Sequence, residues 1–366
     1  MRKARVLVVD DSVVCRRLVS SILAEEEGIE VVGTAPNGRI ALDKVAQLSP
    51  DVVVLDIEMP EMDGLTALAQ LRQSHPAVKV IMFSVLTERG ASATLDALAL
   101  GASDYATKPS ATADHAEALR VVKEQLVPRV RALAAPAPAA FPLPPPASAA
   151  TAEEPLIIAI AASTGGPDAL PELISALPRG FPLPVVVVQH MPPVFTRLFA
   201  KRLDGRLPLP VAEAADGMKL VPGRVFLAPG DHHLEVHRGR LVTHRAPPVH
   251  SCRPAADVLF RSVAEEYGPA AVAVVLSGMG RDGCAGAEEI RRCGGRVFAQ
   301  DPESCAVFGM PRHVVSLASR PIATRKMSAP FRIDSGSVAG YLYVPNAGAP
   351  VDSLVGGGTP MAPPSS

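Results

Sequence analysis

The stretch Ile157-Ile158-Ala159-Ile160-Ala161-Ala162-Ser163-Thr164-Gly165-Gly166-Pro167 decides the fold of the C-terminal half. Its short apolar run predicts a buried strand, and Pro167-Asp168 suits the first turn of a helix. Because a tight turn joins the two, we expect Ser163 at the sheet edge, beside a helix N-terminus. A hydroxyl there can act as a nucleophile while nearby N–H groups hold an oxyanion. The alternative is a serine that only caps the helix.

The composition predicts a globular protein of about two domains, since the chain has 366 residues, 48% of them hydrophobic and 20% charged. The net charge of -1 gives no indication of a nucleic-acid partner. The 5 cysteines are odd in number and scattered, which predicts reduced thiols and a cytoplasmic location. The sequence contains no recognisable signal peptide and no apolar run near the ~20 residues of a spanning helix, so we expect no membrane insertion.

In the first domain, strands are predicted at 5–12, 29–35, 50–56, 78–84 and 102–109, with helices between them. This alternation predicts a parallel sheet with its chemistry at the carboxyl ends of the strands. Polar residues lie at those ends: Asp10, Asp11, Asp56, Ser84 and Lys108. Clustered carboxylates repel one another unless a cation joins them, and oxygen ligands suit Mg²⁺. A carboxylate between Mg²⁺ and a lysine can accept a phosphoryl group, because both cations offset the incoming charge.

Residues 3–125 resemble a response-regulator receiver domain. The resemblance depends on the polar strand ends above, on the loop Met59-Pro60-Glu61-Met62-Asp63-Gly64 and on Lys108-Pro109. It implies that Asp56 is the phosphoacceptor and that Lys108 contacts the phosphoryl group. Ser84 and Tyr105 would form the switch pair. The implied Mg²⁺ ligands are Asp10, Asp11, Asp56 and the carbonyl of Glu58.

Two further strands of the second domain also end in chemically active residues. Leu183 to His190 predicts a strand that ends in a histidine, and Ala271 to Ser277 predicts another, followed by Gly278-Met279-Gly280-Arg281-Asp282-Gly283. The glycine spacing fits a dinucleotide-binding turn, with Asp301 as a ribose-binding acid. It also fits a Ser163-His190-Asp282 triad, because strand ends converge in a doubly wound sheet. An acid inside the turn would repel a pyrophosphate, so the triad is the better interpretation.

The segment from Val221 to Arg245 predicts hairpins with turns at Gly230-Asp231 and Arg238-Gly239. His233 and His237 in this segment have a spacing that a metal site could use, but no third ligand is evident. We therefore do not expect zinc there.

The predicted fold class is α/β, with two doubly wound parallel-sheet domains and a β-hairpin insertion in the second. The predicted boundaries are 1–125 for the receiver, 126–154 for an extended Pro/Ala-rich linker, 155–327 for the catalytic domain and 328–366 for a partly disordered tail. A helical pattern from Val121 to Leu133 is expected to break at Pro128. Within the tail, Tyr341 to Val344 predicts an extra strand.

The whole arrangement resembles the chemotaxis protein-glutamate methylesterases, which are phosphorylation-activated response regulators. The second domain matches them in Ala161-Ala162-Ser163-Thr164-Gly165-Gly166-Pro167, Gln189-His190-Met191, Ala228-Pro229-Gly230-Asp231-His232-His233, Ser277 to Gly283 and Ala299-Gln300-Asp301. The resemblance implies hydrolysis of glutamate methyl esters on chemoreceptor helices, with release of methanol, and deamidation of some glutamines. Ser163 would be the nucleophile, His190 the base and Asp282 its partner. The Met279 backbone N–H, together with Thr164, would hold the oxyanion.

The same resemblance implies a histidine kinase as phosphodonor, methylated chemoreceptors as substrate and no cofactor in the catalytic domain. We expect a monomer whose unphosphorylated receiver packs over the Ser163 end of the sheet. Two other functions are open at this point. One is a receptor-binding signalling adaptor with an inactive Ser163 site, and the other is a dinucleotide-binding domain at Gly278–Gly283.

Overall fold

A computed structural model describes residues 2–109, 114–135, 154–316 and 323–324. The predicted linker beyond residue 135 and the predicted tail with its strand at Tyr341 to Val344 lie outside the described residues.

The first domain contains the predicted five-stranded parallel sheet, whose strand order is β2-β1-β3-β4-β5. Its strands are almost continuously apolar because helices cover both faces. The elements are β1 (Ala4–Val9), α1 (Val13–Glu25), β2 (Ile29–Ala35), α2 (Gly38–Leu48), β3 (Val52–Asp56), α3 (Gly64–Ser74), β4 (Lys79–Ser84), α4 (Glu88–Ala99), β5 (Asp104–Thr107) and α5 (His115–Ala134).

Helix α5 differs from the prediction, because it continues through Pro128 to Ala134. Proline removes one helical hydrogen bond and disfavours a helix interior. Tertiary packing overrides this preference here, since Leu126, Val127 and Val130 are buried on either side of the proline. Pattern alone could not reveal that this helix has a core to pack on.

The second domain is built on a seven-stranded parallel sheet of order β14-β13-β12-β6-β7-β9-β8. Its central strands β12, β6 and β7 are fully buried. The elements are β6 (Ile157–Ala162), α6 (Gly166–Ser175), β7 (Val185–Gln189), α7 (Pro193–Asp204), β8 (Val211–Glu213), β9 (Val225–Leu227), β10 (His233–His237), β11 (Arg240–His244), α8 (Ala256–Tyr267), β12 (Ala271–Val275), α9 (Cys284–Arg292), β13 (Arg296–Ala299), α10 (Met310–Ser316) and β14 (Ala323–Thr324).

Only one of the two predicted hairpins is present. Strands β10 and β11 form an antiparallel pair around the Arg238-Gly239 turn. The hairpin predicted at Gly230-Asp231 was wrong, because β9 pairs in parallel with β7 and β8 and belongs to the main sheet. The apolar residues of β9 are fully buried, so this strand gains more from the centre of a covered sheet than from an exposed hairpin.

The two domains contact each other through α4 and β5 on one side and α6 and α7 on the other. The Tyr105 ring stacks on that of Phe195, with centroids 4.5 Å apart. Arg202 binds the Asp96 carboxylate at 2.7 Å, and Arg197 pairs with Glu88. Within the described residues, the chain has no helix with the length and apolarity needed to span a bilayer.

Candidate active site and phosphoacceptor site

Three adjacent parallel strands, in the order β12-β6-β7, bring the predicted triad to one edge of the second sheet. Ser163 directly follows β6, His190 follows β7 and Asp282 lies in the turn after β12. Neighbouring strand ends are hydrogen-bonded, since the His190 N–H donates to Ala162 and the Ser163 N–H donates to Ser277, both at 3.0 Å. Residues far apart in sequence therefore share one short stretch of sheet edge.

The His190 and Asp282 side chains are hydrogen-bonded, with Nε2 and Oδ2 2.7 Å apart. The Asp282 carboxylate also accepts three backbone N–H groups, from Ala256 at 2.6 Å, Asp257 at 3.0 Å and Gly283 at 2.9 Å. Burial by itself would raise the pKa of Asp282, but His190 and the N–H groups outweigh it and lower that pKa. Asp282 therefore stays ionised and accepts the Nε2–H of His190.

The other ring nitrogen of His190 faces Cys252, a residue that belongs to none of the sequence motifs. Nδ1 lies 3.7 Å from the Cys252 sulfur, and the described residues contain no hydrogen bond between the Ser163 hydroxyl and His190. Burial lowers the pKa of His190, whereas the bonds to Asp282 and Cys252 raise it, and the bonds prevail. The structure thus pairs His190 with Asp282, but in its described part His190 is not hydrogen-bonded to the Ser163 hydroxyl.

The Ser163 turn is held by close packing. Gly165 starts α6 at a φ of 80°, a backbone conformation that favours glycine. A Cβ on Gly278 would lie 2.8 Å from the Cβ of Ser163 and 2.4 Å from the sulfur of Met310. The glycine at position 278 therefore lets the turn after β12 pack closely against Ser163.

Thr164, the second predicted oxyanion residue, is engaged by the first domain. Its hydroxyl donates to the Asp104 carboxylate at 2.6 Å, and both side chains are buried. The same carboxylate contacts the Arg129 guanidinium at 3.1 Å. The residue next to the candidate nucleophile is thus tied to the receiver-like domain by a charge-assisted hydrogen bond.

The first domain gathers its predicted acids at the matching sheet edge. One carboxylate oxygen from each of Asp10, Asp11 and Asp56 lies within 4.8 Å of the others. The Lys108 ammonium joins Asp10 at 2.7 Å and Asp56 at 2.8 Å. This all-oxygen donor set fits Mg²⁺. The predicted fourth ligand is a backbone carbonyl, and the exposed side chain of that residue, Glu58, contacts Arg89 at 3.4 Å instead.

The electrostatics of Asp56 differ from those of an ordinary acid. Burial raises its pKa to about 6, Lys108 counteracts the rise and Asp10 adds to it. Among the residues that the structure describes, one backbone N–H donates to the Asp56 carboxylate, that of Ile57 at 2.7 Å. A buried, under-compensated carboxylate beside a lysine is suited to receive a cation and a phosphoryl group.

The predicted switch residues, Ser84 and Tyr105, both contact groups at or next to the domain contact. The Ser84 hydroxyl bonds the Thr94 hydroxyl on α4 at 2.7 Å. Tyr105 is 6% exposed and stacks on Phe195 in the second domain, and burial raises its pKa. Residues near Asp56 are therefore connected to the second domain through α4 and β5.

The two competing site interpretations lose support from the geometry. Asp301, the expected ribose-binding acid, uses its carboxylate to accept the N–H groups of Glu303 at 3.0 Å and Ser304 at 3.1 Å. His233 is buried and bonds the Pro247 carbonyl at 3.1 Å, while His237 bonds Glu235. The side chains of Asp301, His233 and His237 therefore bond neighbouring protein groups, which gives no support to a dinucleotide or zinc site.

Sequence reasoning missed Asp104, Phe195 and Cys252. Asp104 and Phe195 carry the domain contact, and no pattern in either domain encodes which faces meet. Cys252 lies in the loop after the hairpin and belongs to no motif. Only the tertiary structure brings Cys252 close to His190.

Comparison with known proteins agrees with both halves of the chain. The family model for the CheB methylesterase matches residues 158–327, and that for the response regulator receiver domain matches residues 6–120. A protein of Nocardioides sp. named protein-glutamate methylesterase/protein-glutamine glutaminase is 52% identical over 330 residues, covering 85% of this chain and 89% of that protein. A protein of the same name from Trichodesmium erythraeum is 44% identical over 345 residues, covering 90% and 98%.

Among solved structures, the CheB methylesterase catalytic domain of Thermotoga maritima is 42% identical, with a TM-score of 0.45, covering 47% of this chain and 93% of its own. The sequence relatives extend over most of the chain, and the methylesterase family model spans the Ser163, His190 and Asp282 strand ends. The chain therefore belongs to the CheB methylesterase family, with a response-regulator receiver domain in front of the methylesterase domain.

Proposed function

We propose that this protein hydrolyses glutamate methyl esters on chemoreceptors, releasing methanol, and deamidates some receptor glutamines. The observation that carries the proposal is the 2.7 Å bond between His190 and Asp282 beside the Ser163 strand end. Ser163 attacks the ester carbonyl while His190 takes its proton and returns it to methoxide. Water, which gives a proton to His190, then cleaves the acyl-serine, and the serine oxygen takes that proton back. Asp282 stabilises the imidazolium, and the Met279 backbone N–H with Thr164 holds the oxyanion.

The chemical step requires a small rearrangement. His190 Nδ1 faces Cys252, so the base must be released toward Ser163 when substrate binds. Catalytic hydrogen bonds are often formed only in the substrate complex. The family of the chain and the three converging strand ends support Ser163, rather than a neighbouring hydroxyl, as the nucleophile.

The test is methanol release from methylated receptor. Ser163→Ala should lower the rate by about 10⁶-fold, the scale for losing a triad nucleophile. Thr196→Val, which removes a buried hydroxyl away from the strand edge, is the control for structural damage. A Ser163→Ala protein that releases methanol at the wild-type rate would contradict the mechanism and favour a receptor-binding adaptor with an inactive site.

We further propose that a histidine kinase phosphorylates Asp56 and that phosphorylation activates the esterase. Mg²⁺ held by Asp10, Asp11, Asp56 and the Glu58 carbonyl would offset charge on the phosphoryl group. Lys108 releases its bond to Asp56 and contacts the phosphoryl oxygens instead. Uptake of label from a small phosphodonor should be lost in Asp56→Asn and kept in Asp63→Asn, since Asp63 only caps α3.

Activation is proposed to proceed by loosening of the domain contact. The receiver ties down Thr164, next to Ser163, and Tyr105 stacks on Phe195. Phosphorylation would change the Ser84 and Tyr105 positions and shift the population toward separated domains. Removal of residues 1–135 should therefore raise basal methanol release. A truncated protein no faster than the unphosphorylated whole would rule out this form of regulation.

A further inference from the structure

The cluster of Cys252, His190 and Asp282 joins a thiol that the proposed esterase chemistry does not use to two residues of the proposed triad. Each residue offers one ligand atom, and these atoms lie within 4.8 Å of one another. The set contains one sulfur, one imidazole nitrogen and one carboxylate oxygen. Sulfur and imidazole together suit zinc and similar thiophilic cations, and do not suit Mg²⁺.

The spacing of the sulfur and the nitrogen is that of a metal-binding pair. Zinc binds sulfur at about 2.3 Å and imidazole nitrogen at about 2.0 Å, so a tetrahedral ion holds the two about 3.5 Å apart. Cys252 Sγ and His190 Nδ1 are already 3.7 Å apart. No backbone movement is needed to bring both atoms to one ion.

The imidazole is also oriented for binding. Asp282 bonds Nε2 at 2.7 Å, so Nδ1 is the ring nitrogen that faces the Cys252 sulfur. A carboxylate behind a ligating histidine is a recurrent arrangement in zinc sites, where it fixes the ring and strengthens the ligand. Cys252 and His190 are both partly exposed, so a hydrated ion can reach them.

A neighbouring cluster fits a cation less well. His250, Asp257 and Asp282 also lie within 4.8 Å of one another, but they offer no sulfur. The Asp257 carboxylate already accepts the Gly286 N–H at 2.7 Å and contacts His250 at 3.1 Å. The Cys252 pair is therefore the better candidate.

We propose that Cys252 Sγ and His190 Nδ1 bind a thiophilic divalent cation such as Zn²⁺, with Asp282 orienting the imidazole. Binding forms a metal–sulfur and a metal–nitrogen bond in exchange for the Cys252 thiol proton and the proton on Nδ1, which go to solvent, and water fills the remaining positions on the ion. The occupied Nδ1 can no longer take a proton from Ser163, so the cation inhibits the esterase reversibly. The inhibition rests on the proposed function, whereas the metal site does not.

Metal binding is tested by titrating the full-length protein with Co²⁺ in excess Mg²⁺, which fills the receiver acids. We expect a sulfur-to-cobalt absorption band that saturates at one ion per chain. Cys252→Ser should abolish the band, and His190→Gln should weaken binding by at least about tenfold. Cys15→Ser is the matched control and should keep the band, because Cys15 is the thiol next to the receiver acids. No band in the wild type, or a band that survives in folded Cys252→Ser, would overturn the proposal.

Inhibition is then measured as methanol release with increasing Zn²⁺. The wild type and Cys15→Ser should be inhibited, with activity restored by a chelator, and Cys252→Ser should need at least about tenfold more Zn²⁺ for the same fractional inhibition. A specific cobalt band without inhibition by Zn²⁺ would disprove the regulatory part. If neither the wild type nor any variant releases methanol, the proposed function is contradicted instead. The cobalt titration would still decide the metal site.

Discussion

The receiver and the methylesterase domain place acids at the same position of the same architecture, yet treat them in opposite ways. Asp56 ends a strand of the first sheet and Asp282 follows a strand of the second. Burial raises the pKa of Asp56 to about 6, whereas the pKa of Asp282 is lowered despite burial. The difference lies in the hydrogen-bond partners. The Asp282 carboxylate bonds three backbone N–H groups and the His190 ring. The Asp56 carboxylate bonds one backbone N–H and the Lys108 ammonium, which also contacts Asp10.

This contrast relates each environment to a task. An acid that must keep its charge through a proton transfer is surrounded by fixed donors, which cost no reorganisation during the reaction. Asp56, the proposed phosphoacceptor, has fewer partners, and on that proposal an incoming cation would complete the set. The following experiments test this contrast.

The largest effect is expected from Asp282→Asn, which should lower kcat for methanol release by about 10⁴-fold. An amide in place of the carboxylate would no longer stabilise the imidazolium or fix its tautomer. The matched control is Asp301→Asn, because Asp301 also follows a strand but bonds the loop residues Glu303 and Ser304 rather than a histidine. Equal activity of the two variants would remove the functional distinction between these strand-end acids.

Asp56→Asn should stabilise the Mg²⁺-free receiver at pH 7. The pKa of Asp56 rises from 3.8 to about 6 on folding, so the folded state binds more protons between these values. Stability therefore falls as pH rises from 4 to 6, and at pH 7 the buried charge costs about 2–3 kcal/mol. The variant removes this cost, and its advantage should vanish below pH 4. Hydrogen exchange of the β3 amides at both pH values measures the difference.

A variant that is less stable than wild type at pH 7 would show that Lys108 over-compensates the Asp56 charge. The contrast between the two acids would then fail on its receiver side. Asp63→Asn serves as the control, since that exposed cap should not change the pH dependence.

Asp104→Ala should raise basal methanol release about 10- to 100-fold without phosphodonor. A hydrogen bond to a charged group contributes about 1.5–3 kcal/mol, and here it joins the receiver to Thr164 beside Ser163, the proposed nucleophile. Asp51→Ala is the control, because Asp51 pairs with Arg2 within the receiver. Unchanged basal activity in Asp104→Ala would mean that this contact does not hold the domains together.

The smallest effect is expected from Arg202→Ala, which removes the ion pair with Asp96 at the domain contact. The Asp96 side chain of this pair is 50% exposed, so solvent screens it. Screened pairs contribute about 0.2–1 kcal/mol, so basal activity should rise by no more than about fivefold. Added salt should reproduce most of this increase in the wild type and little of it in the variant. An effect larger than that of Asp104→Ala would show that the contact at α4 holds the domains together more strongly than the contact at β5.

The sequence by itself determined the strands, their polar ends and the family of the chain. Short apolar runs ended by Asp10, Asp56, Ser163 and His190 can satisfy their backbone and bury their side chains only in covered parallel sheets. Convergence of the strand ends then follows from topology, which is why the predicted pair of His190 and Asp282 was found within hydrogen-bonding distance.

Tertiary structure alone decided what depends on packing between distant surfaces. The burial of β9 in the main sheet, the persistence of α5 through Pro128 and the Thr164–Asp104 bond each depend on a partner that local pattern does not specify. Cys252 reaches His190 because the loop before α8 folds back onto the sheet edge. Periodicity reports which side of an element is buried, whereas the identity of what covers that side is set only when the whole chain is packed.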